Sequence, residues 1–401
     1  METIQFIKES KKIEQKLITF RRYLHQNAET GFTLTKTLSF VKKQLEKMGY
    51  RPKPCGKAGL VATINPKRQG KTFLLRADMD ALPITEETSL PFAAKNGNMH
   101  ACGHDMHTAM LLGAAYLLKK HEREICGRIK LLFQPAEEIL EGAKDVIKHG
   151  VLSSPKVHAA AMIHVLTATL PPTNTVIVAA GGTSAPFADF FTIEIQGKGC
   201  HGSMPQDGVD ALSVAAHVLI ALQALTAREL SITDGAILTI GAIQAGEAGN
   251  VIADRAVLKG SLRAFDKDTQ QRLQKRIQTI ASHVASAFRA KANVLFKSGA
   301  PTLVNDSALS DFALRSLSAM LPNNVLSTKE WGEKGKSGGS EDFAYIAARV
   351  PSILLSIAAG NIKDGYVYPP HHPKTEFDER ALPVGAAAYA QLAVDWLREN
   401  S

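Results

Sequence analysis

The sequence predicts an α/β protein with a second, smaller unit inserted into it. Three observations carry that expectation. Apolar segments of strand length alternate with helical ones at both ends of the chain, which is the pattern of an α/β domain. The middle of the chain instead reads strand, helix, strand, strand, helix, strand, the order of the ferredoxin-like split unit, βαββαβ. Finally, Asp78, Asp80, Glu137, Glu138 and His164 fall at the carboxyl ends of strands, where open α/β sheets gather their sites.

Taken in order, a helix is predicted from about Thr3 to Asn27, with Ile7, Ile13, Leu17 and Tyr23 near helical spacing. Gly31 breaks it, and a second helix runs from Thr33 to Met48. Gly59 to Asn65 and Thr72 to Asp78 read as strands around a polar turn at Pro66 to Gly70. Thr108 to Leu118 is an apolar, helix-like run. Ile129 to Phe133 is a strand ending in Gln134-Pro-Ala-Glu-Glu138, followed by a helix near Ala143 to His149 and a strand from Val157 to His164. The second unit begins after Gly181-Gly182. Its strands are Asp189 to Gly197, Ala236 to Ala242, Ala256 to Arg263 and Ala292 to Lys297. Its helices are Asp207 to Arg228 and Asp266 to Arg289. The first unit resumes with a helix from Ser307 to Met320, the stretch Ser337 to Phe343, a strand from Ser352 to Ser356 and a helix from Leu382 to Leu397. The expected division is 1–184 and 301–401 as one unit, interrupted by 185–300.

With 401 residues the chain can bury a sizeable core. No apolar stretch is read as approaching the roughly 20 residues that span a bilayer. Met1 to Arg22 lacks a signal-peptide core. A cytoplasmic chain with no membrane partner is expected. Lys plus Arg exceed Asp plus Glu by 47 − 38 = 9, but the basic residues are scattered, which argues against nucleic acid and suits a small anionic substrate. Cys55, Cys102, Cys126 and Cys200 form no CxxC pair and should be reduced. Cys55 and Cys126 read as structural.

Cys102 differs because His104 follows it across Gly103. In tightly turned backbone, residues i and i+2 can aim at one point, and a thiolate with an imidazole suits a zinc-like ion. The apolar run behind them would hold the pair rigidly. Glu137-Glu138 adds a second pair at a strand-to-helix turn, where two adjacent side chains can point to different places. A surface acidic turn is the alternative for these two.

Arg76-Ala-Asp-Met-Asp-Ala-Leu-Pro83, His100-Ala-Cys-Gly-His-Asp105, Phe133-Gln-Pro-Ala-Glu-Glu138, Gly197-Lys-Gly-Cys-His-Gly-Ser-Met-Pro205, Gly338-Gly-Ser-Glu-Asp-Phe343 and His371-His-Pro-Lys occur in order over nearly the whole chain. Together they resemble the metal-dependent amidohydrolases related to aminoacylase and carboxypeptidase, in particular the branch of hippurate hydrolases and indole-acetyl-amino-acid hydrolases. The resemblance implies a phosphorylase/hydrolase-like zinc-peptidase catalytic domain, with the inserted unit as a lid and dimerisation domain. It implies two divalent metal ions (zinc, manganese, cobalt or nickel) on Cys102, His104, Glu138, His164 and His371. Asp80 would orient a ligand imidazole. Glu137 would be the general base, passing a proton from water to the leaving amine. Asp78 stands where relatives outside this branch carry a ligand histidine, which implies a rearranged shell with His104 substituting.

The same resemblance implies that His201 reaches the site, often that of a partner subunit, and steadies the oxyanion. Asn250 and Arg263 would engage the substrate carboxylate or the tetrahedral oxygen, and the arginine fork suits a carboxylate. Glu341 would border the substrate, or serve only as a charge at a helix N-terminus. Cys200, Gln206 and Ala253 depart from the family's Gly, His and Pro. Of His371 and His372 the pattern favours the first. His107 is expected in the core or behind the ligands, and His25 and His158 in packing or hydrogen bonding. The implied reaction is hydrolysis of the amide of an N-acyl amino acid in a site between the two units, closed by a hinge, in a homodimer or higher oligomer formed through the inserted unit. The rivals are a dipeptidase or carboxypeptidase on the same scaffold, a silent acyl-amino-acid binder, and a redox or metal sensor using Cys102.

Overall fold

The structure, a computed structural model, describes residues 5–231, 234–330 and 338–400. Thr3 and Ile4 of the first expected helix, and Ser337, lie outside the described residues. In chain order the strands used below are β1 Lys53–Cys55, β2 Gly59–Ile64, β3 Thr72–Asp78, β4 Arg128–Gln134, β5 Ala159–Leu166, β6 Val176–Val178, β7 Phe187–Gln196, β8 Ala236–Ala245, β9 Arg255–Ala264, β10 Lys291–Ala300, β11 Val325–Ser327 and β12 Ser352–Ala358. The helices used below are α1 Phe6–Lys12, α2 Glu14–Gln26, α3 Thr35–Lys47, α4 His104–Lys120, α5 Gly142–Lys148, α6 Ala211–Ala224, α7 Lys267–Ala287, α8 Ser307–Met320 and α9 Ala381–Glu399. Two compact units form. One gathers the chain up to Ser184 and from Val304 onward, except 338–340, which join Ala185–Leu303 in the other.

The first unit is built on an eight-stranded mixed sheet in the order β1-β2-β4-β3-β5-β12-β6-β11. Its centre, β4-β3-β5-β12, is parallel, and β2 and β6 join it antiparallel. All seven positions of β3 are buried, so both of its faces are covered, as a central strand requires. The three-residue strands β1, β6 and β11 were not expected, because so short a run shows no periodicity. One expected N-terminal helix is two. Ser10 Oγ donates to the Ile7 carbonyl at 3.0 Å, and the Ile13 N–H donates to the Ser10 carbonyl at 3.1 Å. These local bonds compete with the helical ladder and end α1 before α2 begins.

Nearly all of α4 is buried. It packs closely enough on α2 and α9 that a Cβ at Gly113 would lie 2.7 Å from Leu17 and 2.8 Å from Ala386. The start of α4, which carries His104, is thereby fixed against the sheet.

In the second unit β8-β9-β7-β10 form a four-stranded sheet with every neighbouring pair antiparallel. The helices follow β7 and β9, and each crossover skips one strand. Val214, Val218 and Leu222 of α6, with Leu273, Ile277 and Ala281 of α7, make the core on the sheet. Helix α6 starts later than expected. Pro205–Asp207 form a 3-10 turn, and Asp210 rather than Asp207 is the N-cap, accepting from the Leu212 N–H at 3.0 Å. With its C-terminal turn this helix covers Ala211–Glu229, 19 residues of mean hydropathy 1.5, long and apolar enough by length and composition to cross a membrane. That corrects the expectation that no stretch approaches this length. Here its buried stripe packs on the sheet.

Candidate metal centre

Gly103 is the N-cap of α4 and sits at φ +81. The left-handed turn reverses the chain between Cys102 and His104 so that both side chains converge. A Cβ at Gly103 would lie 2.4 Å from Val165 Cγ2 and 3.1 Å from Phe377. Gly103→Ala combines backbone strain with overpacking and is expected to cost about 2–4 kcal/mol. Denaturant unfolding measures this, and a loss below about 1 kcal/mol would show that the turn tolerates a side chain.

Ring tautomers prepare the histidines as donors. His104 Nδ1 donates to the Asp80 carbonyl at 2.8 Å, and His164 Nδ1 to the Val165 carbonyl at 2.7 Å. A carbonyl only accepts, so Nδ1 carries a proton in each ring and Nε2 is the nitrogen left to face a cation. His164 Nε2 lies 3.5 Å from Cys102 Sγ. The Glu138 carboxylate spans two imidazoles, with Oε1 3.8 Å from His104 Nε2 and Oε2 3.6 Å from His371 Nε2. Among the described residues the donor atoms fall into overlapping groups, including Cys102–His104–His164 and Cys102–Glu138–His371. Cys102 is common to both. His104 Nε2 and Glu138 Oε1 are buried with no hydrogen-bond partner, a costly state that a cation would relieve. Burial pushes the Cys102 thiol up, helped by Glu138, and raises Glu138 to about 7. Anionic donors so placed need compensating positive charge. The set fits two divalent cations.

Asp80 meets the His104 imidazole through its main chain. Its backbone carbonyl, not its carboxylate, orients His104. The carboxylate accepts the backbone N–H groups of Glu137 at 2.9 Å and Glu138 at 3.2 Å. It thus anchors the turn in which Ala136 and Leu140 take positive φ, local strain of the kind stored at functional sites. His107 is spoken for. Its Nδ1 meets Asp78 at 2.6 Å, and its Nε2 accepts the Val165 N–H at 2.8 Å. Asp78 divides its oxygens between His107 and Arg76. His371 sits at φ +69 with its N–H on the Ala101 carbonyl. His372 instead stacks on Tyr368, 4.5 Å between ring centroids.

Glu137 is buried, and burial together with Glu341 and Asp342 holds its carboxyl well above the usual range. Glu341 is held within the protein. Its carboxylate lies 3.0 Å from Arg76 Nη2 and accepts the Phe343 N–H at 2.9 Å. Sequence reasoning assigned no role to Arg76 or Asp342, although both lie inside quoted motifs.

His201, Asn250 and Arg263 belong to the second unit. His201 pairs with Val251, and the Gly202 N–H donates to the Asn250 carbonyl at 2.8 Å. His201 Nδ1 accepts the Ser203 N–H at 3.2 Å and lies 2.7 Å from Ser203 Oγ. A backbone N–H only donates, so Nε2 carries the ring proton and faces outward as a donor. Cys200 Sγ contacts the Met204 carbonyl, Gln206 is exposed in the 3-10 turn, and the Ala253 carbonyl accepts the Ala211 N–H. Arg263 Nη1 donates to Ser340 Oγ at 3.0 Å and the Gly338 carbonyl at 3.2 Å.

A charged core backs the Cys102–His104 turn. Arg21 Nε donates to Asp105 at 2.7 Å, and His25 bridges Asp105 at 2.9 Å and Glu86 at 3.1 Å. Burial and Arg21 push His25 down, but its bonds to Asp105 and Glu86 outweigh them and leave it raised. Burial opposes ionisation of Asp105 and Glu86, yet Arg21 and His25 hold Asp105, and His25 holds Glu86, below the ordinary values. The raised histidine stabilises fully below its unfolded pKa of about 6.5, and that contribution is lost as pH rises through the folded value. The depressed carboxyls stabilise fully above about 4, and lose their contribution as pH falls through theirs. Asp105→Asn should therefore flatten both limbs of the melting temperature against pH. An unchanged profile would remove this network from the pH dependence.

Comparison with known proteins agrees with this chemistry. The sequence profile of Peptidase family M20/M25/M40 matches residues 74–395. The N-acetyl-L-cysteine deacetylase of Bacillus subtilis (strain 168) is 37% identical over 378 residues, covering 92% of this chain and 85% of that protein. The IAA-amino acid hydrolase ILR1-like 4 of Arabidopsis thaliana is 35% identical over 393 residues, covering 96% and 86%. The crystal structure of the Bacillus subtilis YXEP protein, a dinuclear metal binding peptidase from the M20 family, matches with a TM-score of 0.81 at 32% identity, covering 98% of this chain and 100% of that one. The chain belongs to Peptidase family M20/M25/M40.

Proposed function

We propose that this chain hydrolyses the amide bond of N-acyl amino acids, with an acetyl or aromatic acyl group, and releases the amino acid and a carboxylic acid. It is a metal-dependent amidohydrolase. One observation carries the reading: Cys102, His104, Glu138, His164 and His371 offer donor atoms in overlapping groups, with His104 Nε2 and Glu138 Oε1 buried and unpartnered, beside a second carboxylate, Glu137. Divalent cations there, drawn from zinc, manganese, cobalt or nickel, would polarise the amide carbonyl and acidify a water. Glu137 takes the proton from that water and returns it to the leaving amine. His201 offers Nε2–H to the oxyanion, and Asn250 and Arg263 hold the substrate carboxylate.

The ferredoxin-like unit acts as a lid and as the dimer contact. In support, Leu212 and Ile220 on α6 are 49% and 66% exposed, and Ile237 and Ile243 on the edge strand β8 are 58% and 46% exposed. An apolar edge of this kind is self-complementary across a two-fold axis, and light-scattering mass tests it. The reaction is tested by presenting metal-loaded protein with N-acetyl, N-benzoyl and indole-acetyl amino acids alongside free dipeptides. Cleavage of dipeptides alone would replace the deacylase reading with a peptidase.

A further inference from the structure

Arg76 is a fully buried cation that the reaction above does not use, and a set of site groups converges on it. Its Nη1 donates to Asp78 at 2.6 Å, and through Asp78 it reaches His107, whose Nε2 holds the backbone beside His164. Its Nη2 donates to Asp342 at 2.8 Å and lies 3.0 Å from Glu341, and its Nε donates to Gln134 Oε1 at 3.1 Å. Asp342 gathers more donors: Gln134 Nε2 at 2.8 and 3.0 Å, and the Ala143 N–H at 2.8 Å. The backbone N–H of Asp342 in turn donates to Glu137 Oε1 at 3.4 Å.

Oxygens of Glu137, Glu341 and Asp342 lie within 4.8 Å of one another. Three carboxylates at that spacing repel, and in a buried setting the repulsion is weakly screened. The 341–343 turn stays against Glu137 because the guanidinium and the fixed N–H donors hold it there. A glutamate side chain has three rotatable bonds, and Glu137 must reach a different target from its neighbour Glu138. The Asp342 N–H on Oε1, at 3.4 Å, favours one setting of that side chain.

We propose that Arg76 and Asp342 are positioning residues that aim the Glu137 carboxylate through the backbone N–H of Asp342. This rests on Glu137 being the base. Neither residue is among the five proposed cation donors, so its effect is expected on the rate of the proton-transfer step rather than on binding.

Asp342→Asn tests it. The amide has the carboxylate's shape but turns an NH2 toward the donors of Gln134 or Ala143, so the turn must shift. A displacement of about 1 Å at Glu137 is expected to lower kcat about 100-fold. KM should stay within about threefold of the parent. Cation content and the visible spectrum of the cobalt-loaded protein should not change. Gln134→Met, which loosens Asp342 with every charge retained, should lower kcat about tenfold, and it decides the matter if Asp342→Asn fails to fold by circular dichroism. The proposal is overturned by a kcat within about threefold of the parent. It is equally overturned by a rate loss that follows loss of cation or an altered cobalt spectrum. Glu137→Gln run in parallel separates the two failures. If that variant keeps full rate, the base is misassigned. If it is inactive while the other two run at the parent rate, only the positioning role falls.

Discussion

Glu137→Gln is expected to lower kcat by about 10²–10⁴-fold, the usual worth of a positioned general base, while the protein stays folded and keeps its cations. The variant changes little else. Gln has the same shape, its backbone N–H still donates to Asp80, and its amide oxygen can still accept the Asp342 N–H. Its neighbours Glu341 and Asp342 would lose a repelling charge, so stability should hold or rise. Steady-state kinetics with elemental analysis of the same preparation is the check. Undiminished turnover would move the base elsewhere.

Cys102→Ala should have the other large effect. Its sulfur belongs both to the group with His104 and His164 and to the group with Glu138 and His371. Losing it removes one donor from each group, so both cations should be weakened together and activity should fall to background. A ligand present at 100 times its Kd stabilises a fold by about 2.7 kcal/mol. The parent should therefore melt measurably lower after chelation, and the variant's melting temperature should be insensitive to chelator. If the variant retains two cations at parental affinity, the thiolate is not the shared donor.

Much of the arrangement was readable before any coordinates. The strand Thr72–Asp78 and the helix Ser307–Met320 were bounded as found, because their apolar spacing is a property of the local chain. The Cys102-Gly-His104 turn was readable because Gly is the residue that accepts φ near +80 without strain. Asp210 in place of Asp207 as the cap of α6, and the break at Ile13, were not readable. Each depends on which of two nearby polar groups captures a backbone bond, and their composition is the same either way.

The chain alone determined which donors are present, their order, and the strand ends that carry them, since these follow from residue chemistry and short-range periodicity. Folding decided how each one is used. It turned Asp80's carbonyl, not its acid, toward His104, tied Glu341 to Arg76, and closed both ring nitrogens of His107. It also brought Asp342 to Arg76 across 266 positions of sequence. Such bonds depend on distances set by packing, and no local pattern encodes which atom of a side chain will face which neighbour.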